Sequence, residues 1–320
     1  MSVGDEVRRR KLVLGSRGSN LALAQTRLVE RALLSVNPAV DVEIRIVRTR
    51  GDEGAASVAQ PDLDPRAGRK GLFTGEIERE LLARNIDVAV HSAKDLPSEL
   101  TAGTRLIAAL PRASTDDVLV TKCRGGFDSL PEGSCVGTSS VRRQHQLRAM
   151  RPDLHVMDLR GNVPTRLRKL VEQRDLHGII LARAGLERLG FALEDGRLEI
   201  EGFELRANVL QHDEFLPPGG QGIVALQIRE DDEACTRMVS AVNDTDAFVC
   251  LRAEREFLRL LQGDCGSPVG VLATLNGDAL SLRAQVFEPE TGDRQTGQVE
   301  GSRQQPELLA RDLMKQLHGR

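Results

Sequence analysis

Apolar residues recur with two different periods along this chain, and the alternation of the two organises its first 240 residues. Lys11-Leu12-Val13-Leu14-Gly15-Ser16 reads as a strand; Leu21, Ala24, Leu28 and Ala32 then share one face of a helix over 21–35. Residues 42–47 alternate as a second strand. From 49 to 69 the pattern dissolves into Gly, Ala, Asp and Pro, a long loop of the kind that forms lids or stays disordered. A helix over 74–84 follows, then the β-branched run Val88-Ala89-Val90 and a strand over 105–110.

The logic repeats. Strands at 118–121 and from 134, a helix over 141–150, a strand over 154–159, a helix over 163–173, a strand at 179–181 and a short helix over 184–189 make a second α/β series. Strands alternating with helices imply parallel sheets built of right-handed βαβ units. After the turn cluster Pro217-Pro218-Gly219-Gly220-Gln221-Gly222, a strong strand over 223–228 reads as the chain returning to complete the first sheet, and a helix over 231–242 follows. Two such crossings between α/β domains build a hinged cleft. The rest is different: a helix over 247–261, a hairpin of 269–275 with 280–286 about Asn276-Gly277, a weaker strand over 295–299 and a helix over 305–317. The expected domains are 11–112 with 221–240, then 116–216, and a small α+β domain over 245–320.

Chemistry-bearing residues gather where strands end. His91-Ser92-Ala93-Lys94-Asp95-Leu96-Pro97 closes the run begun by Asp87-Val88, and ligands of open α/β sheets bind outside the carboxyl ends of strands. Taken alone, the stretch reads first as a surface turn with a solvated ion pair, worth little. Gly15-Ser16-Arg17-Gly18-Ser19-Asn20 feeds a helix N-terminus that Ser19 or Asn20 would cap, an arrangement suited to an anion. Thr138-Ser139-Ser140 repeats it before the helix at 141.

Charge sharpens the second of these turns. Residues 138–174 carry Arg142, Arg143, Arg148, Arg151, Arg160, Arg166, Arg168, Lys169 and Arg174 against Asp153, Asp158 and Glu172. Arg142, Arg143, Arg160 and Arg166 fall at or near element ends, where guanidinium forks would point into a cleft and grip carboxylates. Arg148, Arg151, Arg168 and Arg174 read as a solvated helix face. The net charge of −3 and the lack of Trp and Tyr argue against nucleic acid as partner. The charged N-terminus has no apolar h-region and no run is long enough to span a membrane, so the expected setting is cytoplasmic and away from membranes. The five cysteines are widely spaced, with no C-x-x-C pair, which suits a reducing compartment and suggests neither a disulfide framework nor a zinc site. Cys265 stands apart, on the glycine-flanked loop Gly263-Asp264-Cys265-Gly266-Ser267-Pro268, as a candidate nucleophile or attachment point.

Together these stretches resemble the porphobilinogen deaminase (hydroxymethylbilane synthase) family. The resemblance is carried, in the family's order, by Ser16-Arg17-Gly18-Ser19-Asn20-Leu21-Ala22-Leu23-Ala24-Gln25, Lys70-Gly71-Leu72-Phe73, His91 to Pro97, Val136-Gly137-Thr138-Ser139-Ser140-Val141-Arg142-Arg143-Gln144, Leu159-Arg160-Gly161-Asn162-Val163, Gly219-Gly220-Gln221-Gly222 and Gly263 to Pro268. It implies two periplasmic-binding-protein-like α/β domains with a hinged cleft plus a small C-terminal α+β domain. It also implies a transferase of haem and tetrapyrrole biosynthesis that joins four porphobilinogen molecules head to tail, with loss of ammonia, and releases linear hydroxymethylbilane. The family's dipyrromethane cofactor would be held by a thioether to Cys265, and no metal would be needed.

The resemblance further implies that Asp95 is the catalytic aspartate. Ser92, Lys94, Asp95, Thr138, Ser139, Ser140, Arg142, Arg143, Arg160, Gly161 and Arg166 would hold the cofactor. Arg17, Ser19, Lys70, Arg188 and Gln221 would hold substrate, with Lys70 and the 49–69 loop forming a lid. A monomer is implied, with hand-off of the unstable product to uroporphyrinogen-III synthase. A non-catalytic two-domain anion-binding protein is the competing reading; it needs neither Cys265 nor a third domain.

Overall fold

The computed structural model describes residues 11–49, 74–123, 126–193, 195–262 and 267–319. Residues 50–69, Lys70 and Cys265 lie outside the described residues. The first elements are β1 (Lys11–Ser16), α1 (Asn20–Val36), β2 (Asp41–Ile46), α2 (Gly75–Leu82), β3 (Val88–Ser92) and β4 (Thr104–Ala109). Next come β5 (Asp117–Thr121), β6 (Cys135–Gly137), α3 (Val141–Met150), β7 (His155–Met157), α4 (Val163–Glu172), β8 (Gly178–Ala182), α5 (Arg183–Arg188), β9 (Arg197–Ile200) and β10 (Phe203–Leu210). The last are β11 (Val224–Arg229), α6 (Glu233–Ser240), α7 (Thr245–Leu260), β12 (Val269–Asn276), β13 (Ala279–Phe287), β14 (Arg294–Ser302) and α8 (Pro306–His318).

These form two compact units. One holds the chain up to Leu96 with Leu100–Pro111 and Val224–Thr245; the other holds Pro97–Glu99, Arg112–Ile223 and Asp246–Arg320. The sheet of the first unit has the order β2-β1-β3-β11-β4. The returning strand β11 does complete it, between β3 and β4, and all six of its residues are buried. Leu12, Leu14, Val88, Val90, Leu226 and Ile228 form its core with Val29 and Leu33 of α1. Each such side chain stabilises the fold by roughly 1.5–3 kcal/mol relative to exposure.

The sheets are mixed, not parallel as the βαβ rhythm suggests. β1 runs parallel to β2 and β3, but β11 is antiparallel to both β3 and β4. No crossover helix inside this sheet leads into β11, so the right-handed βαβ rule does not bind it. The second unit's sheet, β7-β6-β8-β5-β10-β9, likewise joins parallel β7, β6 and β8 to antiparallel β5, β10 and β9.

The hairpin β9–β10 has no counterpart in the elements expected from sequence. Its turn, Glu201-Gly202, has φ of 50° and 82°, which a two-residue primed turn requires and which Glu rarely adopts. The readable trace is the alternation of buried Leu198 and Ile200 with exposed Arg197 and Glu199.

The C-terminal sheet, β12-β13-β14, is antiparallel, and α7 and α8 close its own core around Phe257, Val271, Leu282 and Leu313. Glu254 of α7 is wholly buried; it accepts from Arg112 Nη1 at 2.8 Å, Ala273 N at 2.8 Å and Gly220 N at 2.6 Å. Just beyond, Gly222 has φ +84°, and a Cβ there would run into the carbonyl oxygens of Ala113 and Ser114. Gly222→Ala is therefore expected to destabilise the protein by at least about 1–3 kcal/mol, seen as a lower urea midpoint by circular dichroism; an unchanged midpoint would contradict this close approach.

Candidate functional site

In the first unit, the carboxyl end of β3 and the amino end of α1 meet at one pocket, lined by Arg17, Ser19, Gln25, Thr74, His91, Ser92 and Asp95. Ser19 caps α1, accepting from Ala22 N at 3.3 Å, so the positive end of a 17-residue helix faces the pocket. Below the turn, Thr26 Oγ1 donates to the buried Ser16 Oγ at 2.7 Å, and Ser92 Oγ donates to Gln25 Oε1 at 2.9 Å. Ala93–Asp95 forms a single 3₁₀ turn, which leaves Asp95 half-buried on the pocket wall. Lys94 is half-buried in the same turn and is not among the pocket's lining residues.

His91 is buried, and its Nε2 lies 2.8 Å from Gln227 Oε1. Gln227 donates from Nε2 to Glu78 Oε1 and to Thr104 Oγ1, both at 2.7 Å; Thr101 Oγ1 donates to Glu78 Oε2 at 2.7 Å. With Gln227 Nε2 donating to both Glu78 and Thr104, the amide oxygen is the atom that faces His91. His91 therefore donates from Nε2. A buried chain running back to α2 orients the ring, a role the sequence left open.

Thr74 is a lining residue that the sequence did not single out. It precedes α2 at the N-cap position, yet its side chain makes no cap bond. Its hydroxyl oxygen is buried and has no hydrogen-bond partner among the described residues. The clue was the position of Thr74 directly after Lys70-Gly71-Leu72-Phe73, where a threonine opening a helix reads as an ordinary cap.

In the second unit, β6 runs into Thr138-Ser139-Ser140 and then α3. Ser140 Oγ caps the helix on Arg143 N at 3.4 Å, Ser139 Oγ donates to Leu159 O at 2.6 Å, and Thr138 Oγ1 accepts from Ser140 N at 3.2 Å. Beside it, Arg160 is exposed and bonds Asp158 at 2.9 Å, while Arg166 Nε donates to Gly161 O at 2.7 Å. Gly161 has φ +124°, a turn that β-carbon-bearing residues resist. Arg188 is half-buried and donates to Gly222 O at 2.6 Å; burial lowers its pKa.

Arg142 and Arg143 are corrected by the structure in one respect: they do not point outward from an element end. Both are buried on Asp117, with Arg142 Nη2 2.6 Å from Oδ2 and Arg143 Nη2 2.6 Å from Oδ1. The first turn of α3 faces the interior, and charges buried there need a counter-charge. Gln221, wholly buried, joins the same group, donating from Nε2 to Thr115 O at 2.7 Å and to Asp117 Oδ1 at 3.0 Å. Burial pushes the Asp117 carboxyl up, but Arg143 and Arg142 outweigh it and hold the group well below the usual carboxylate range. Among the described residues, Arg142 Nε has no hydrogen-bond partner.

Three of the described cysteines, Cys135, Cys235 and Cys250, are poorly suited to nucleophilic work. Burial pushes the Cys250 thiol up to about 11 and raises that of Cys135. Cys235 is packed in the first unit's core.

Each unit of this α/β protein thus holds a hydroxyl-rich turn that caps a helix beside an arginine, an arrangement suited to an anion. Family comparison makes the class specific. Residues 12–237 match the porphobilinogen deaminase dipyromethane cofactor binding domain, and residues 248–319 match the porphobilinogen deaminase C-terminal domain. The porphobilinogen deaminase of Syntrophomonas wolfei is 42% identical over 308 residues, 96% of this chain and 95% of its own. That of Roseiflexus sp. is 42% identical over 306 residues, with 96% and 95% covered, and that of Thermus thermophilus 41% over 307, with 96% and 95% covered. The chain belongs to the porphobilinogen deaminase family and is thus a transferase of tetrapyrrole biosynthesis. Among solved structures, the periplasmic VFT2 domain of Bordetella pertussis BvgS aligns over 73% of this chain and 86% of its own at 14% identity and a TM-score of 0.42, too distant to bear on function. No helix among the described residues is long and apolar enough to cross a membrane.

Asp117→Asn leaves two buried guanidinium groups short of a counter-charge, and a loss of about 3–5 kcal/mol is expected. The ionised Asp117 stabilises the fold fully above the ordinary aspartate pKa of about 3.9, and the contribution fades only as pH falls through the depressed folded value. The gap in urea midpoint between wild type and D117N should therefore hold from pH 7 to about 4 and narrow below that. A gap that already closes at pH 5 would show that Asp117 is not held in its charged form.

Proposed function

We propose that this chain acts as a hydroxymethylbilane synthase in which Asp95 steadies the positive charge that develops on the pyrrole when porphobilinogen loses ammonia. The observation that carries this reading is the convergence of Arg17, Ser19, Ser92 and Asp95 on one pocket at the carboxyl end of β3. A fixed carboxylate beside a developing cation, in a half-buried site, supplies preorganised electrostatic stabilisation, often the largest single catalytic contribution. Its oxygens would accept from the pyrrole N–H, and Arg17 with Ser19 at the start of α1 would take a substrate carboxylate. Lys70, Arg188 and Gln221 would be further substrate contacts.

The donors of the second unit suit a group bearing several carboxylates. Thr138, Ser139 and Ser140 offer hydroxyls at a helix start, and Arg160 and Arg166 offer guanidinium forks around the Gly161 turn. Ser92 and Lys94 are proposed as further cofactor contacts. Arg142 and Arg143 would act chiefly by fixing the turn, with the unpartnered Arg142 Nε as a spare donor. The dipyrromethane, attached through a thioether to Cys265, supplies when bound the pyrrole carbon from which the chain grows. The high thiol pKa of Cys250 and the burial of Cys235 are in keeping with attachment at Cys265. We assign the protein to the cytoplasm as a monomer that passes its unstable product to uroporphyrinogen-III synthase.

Intact mass of the purified protein is expected to exceed the sequence mass by a dipyrrole, and the excess should be absent from C265S; an unmodified yet active enzyme would sink the attachment. Asp95→Asn is expected to keep porphobilinogen-derived pyrroles bound while lowering turnover by about 10²–10³-fold, the range for loss of one preorganised electrostatic group. Near-normal turnover of D95N would remove Asp95 from the mechanism.

A further inference from the structure

A buried hydroxyl without a partner is uncommon in a folded protein, because an unmet donor and acceptor in the interior is costly. Thr74 Oγ1 is such a group. The residue is 1% exposed, and its oxygen has no partner among the described residues. Threonine before a helix ordinarily turns its hydroxyl back onto the first-turn N–H groups. Here Thr74 already has helical torsions, φ −117° and ψ −29°, with its carbonyl accepting from Glu78 N at 2.9 Å; its side chain makes no cap bond, and the residue lines the pocket. The same pocket is lined by Arg17, Ser19 and the first turn of α1, so the potential there favours an anion.

We propose that Thr74 is a substrate-contacting residue, whose hydroxyl donates to a carboxylate oxygen of the substrate lying between the α1 N-terminus and Arg17. The inference rests on the reading of porphobilinogen as substrate, which brings an acetate and a propionate to this enzyme. The bond exists only with ligand present, which accounts for a buried hydroxyl that has no partner among the described residues. Its burial keeps bulk water from competing for it, and the β-branched side chain leaves few rotamers to lose on binding. An alcohol bond to a carboxylate is charge-assisted and discriminates against analogues that lack the acid.

The test compares T74V, which keeps the shape and deletes the hydroxyl, with T74S, which keeps the hydroxyl, in the cofactor-loaded protein. For T74V, KM for porphobilinogen should rise about tenfold, in line with loss of one hydrogen bond to a charged group, with kcat within about twofold and Tm equal to or above that of wild type. T74S should restore KM to near the wild-type value. An unchanged KM in T74V would overturn the assignment. So would a fall in Tm together with a loss of kcat that T74S does not repair, since the hydroxyl would then be holding α2. A wild-type protein that does not consume porphobilinogen would overturn the substrate reading itself and this inference with it; an active wild type with an indifferent T74V overturns the inference alone.

Discussion

The second unit is arranged around one carboxylate that water cannot reach. Asp117 opens β5, and its side chain is wholly buried. A lone carboxylate there would carry a desolvation penalty of several kcal/mol, so the surrounding chain has to bring charge to it. It does so from α3 with Arg142 and Arg143, and from the returning segment with Gln221. The arginines then spend their other donors on Leu216 O and Ile180 O, tying β8 and the chain before β11 to the same point. Hydrophobic residues of like volume would provide comparable stability. The ionic cluster additionally fixes where the first turn of α3 sits, and with it the Thr138–Ser140 turn.

That turn and its counterpart at 16–19 show one device used twice. In each, a strand ends in small hydroxyl residues, a serine caps the next helix, and an arginine stands close by. The units differ in what lies behind. In the first, a hydrogen-bonded relay from His91 through Gln227 to Glu78 sets the ring and the floor of the pocket. In the second, the support is ionic. Fixed supports suit a site that must meet one charged, repeating substrate many times without reorganising.

Legibility followed the range of the interactions. Helix caps, the β3 run, the Asn276-Gly277 hairpin and the return of β11 to the first sheet depend on neighbours in sequence or on plain apolar pattern, and were readable. The β9–β10 hairpin was not, because its positive-φ turn is made by Glu201-Gly202 and half of its short strand β9 is charged. Arg142 and Arg143 looked like ligands for outside anions, because sequence records that a residue is cationic and not that a carboxylate 25 residues earlier folds beneath it. Thr74 was passed over for the opposite reason: only the fold reveals that its buried hydroxyl makes no cap bond.

By itself, then, the sequence determined the α/β rhythm, the separate C-terminal sheet, the two anion-receptive turns and the family, since each is written in local pattern or in ordered motifs. The tertiary structure decided strand direction, the inward turn of Arg142, Arg143 and Gln221 onto Asp117, the orientation of His91 and the exposure of Thr74 to the pocket. Those are settled by which buried polar group finds which partner. Pairings across 25 to 150 residues are chosen by packing and desolvation together, and no local window of sequence contains them.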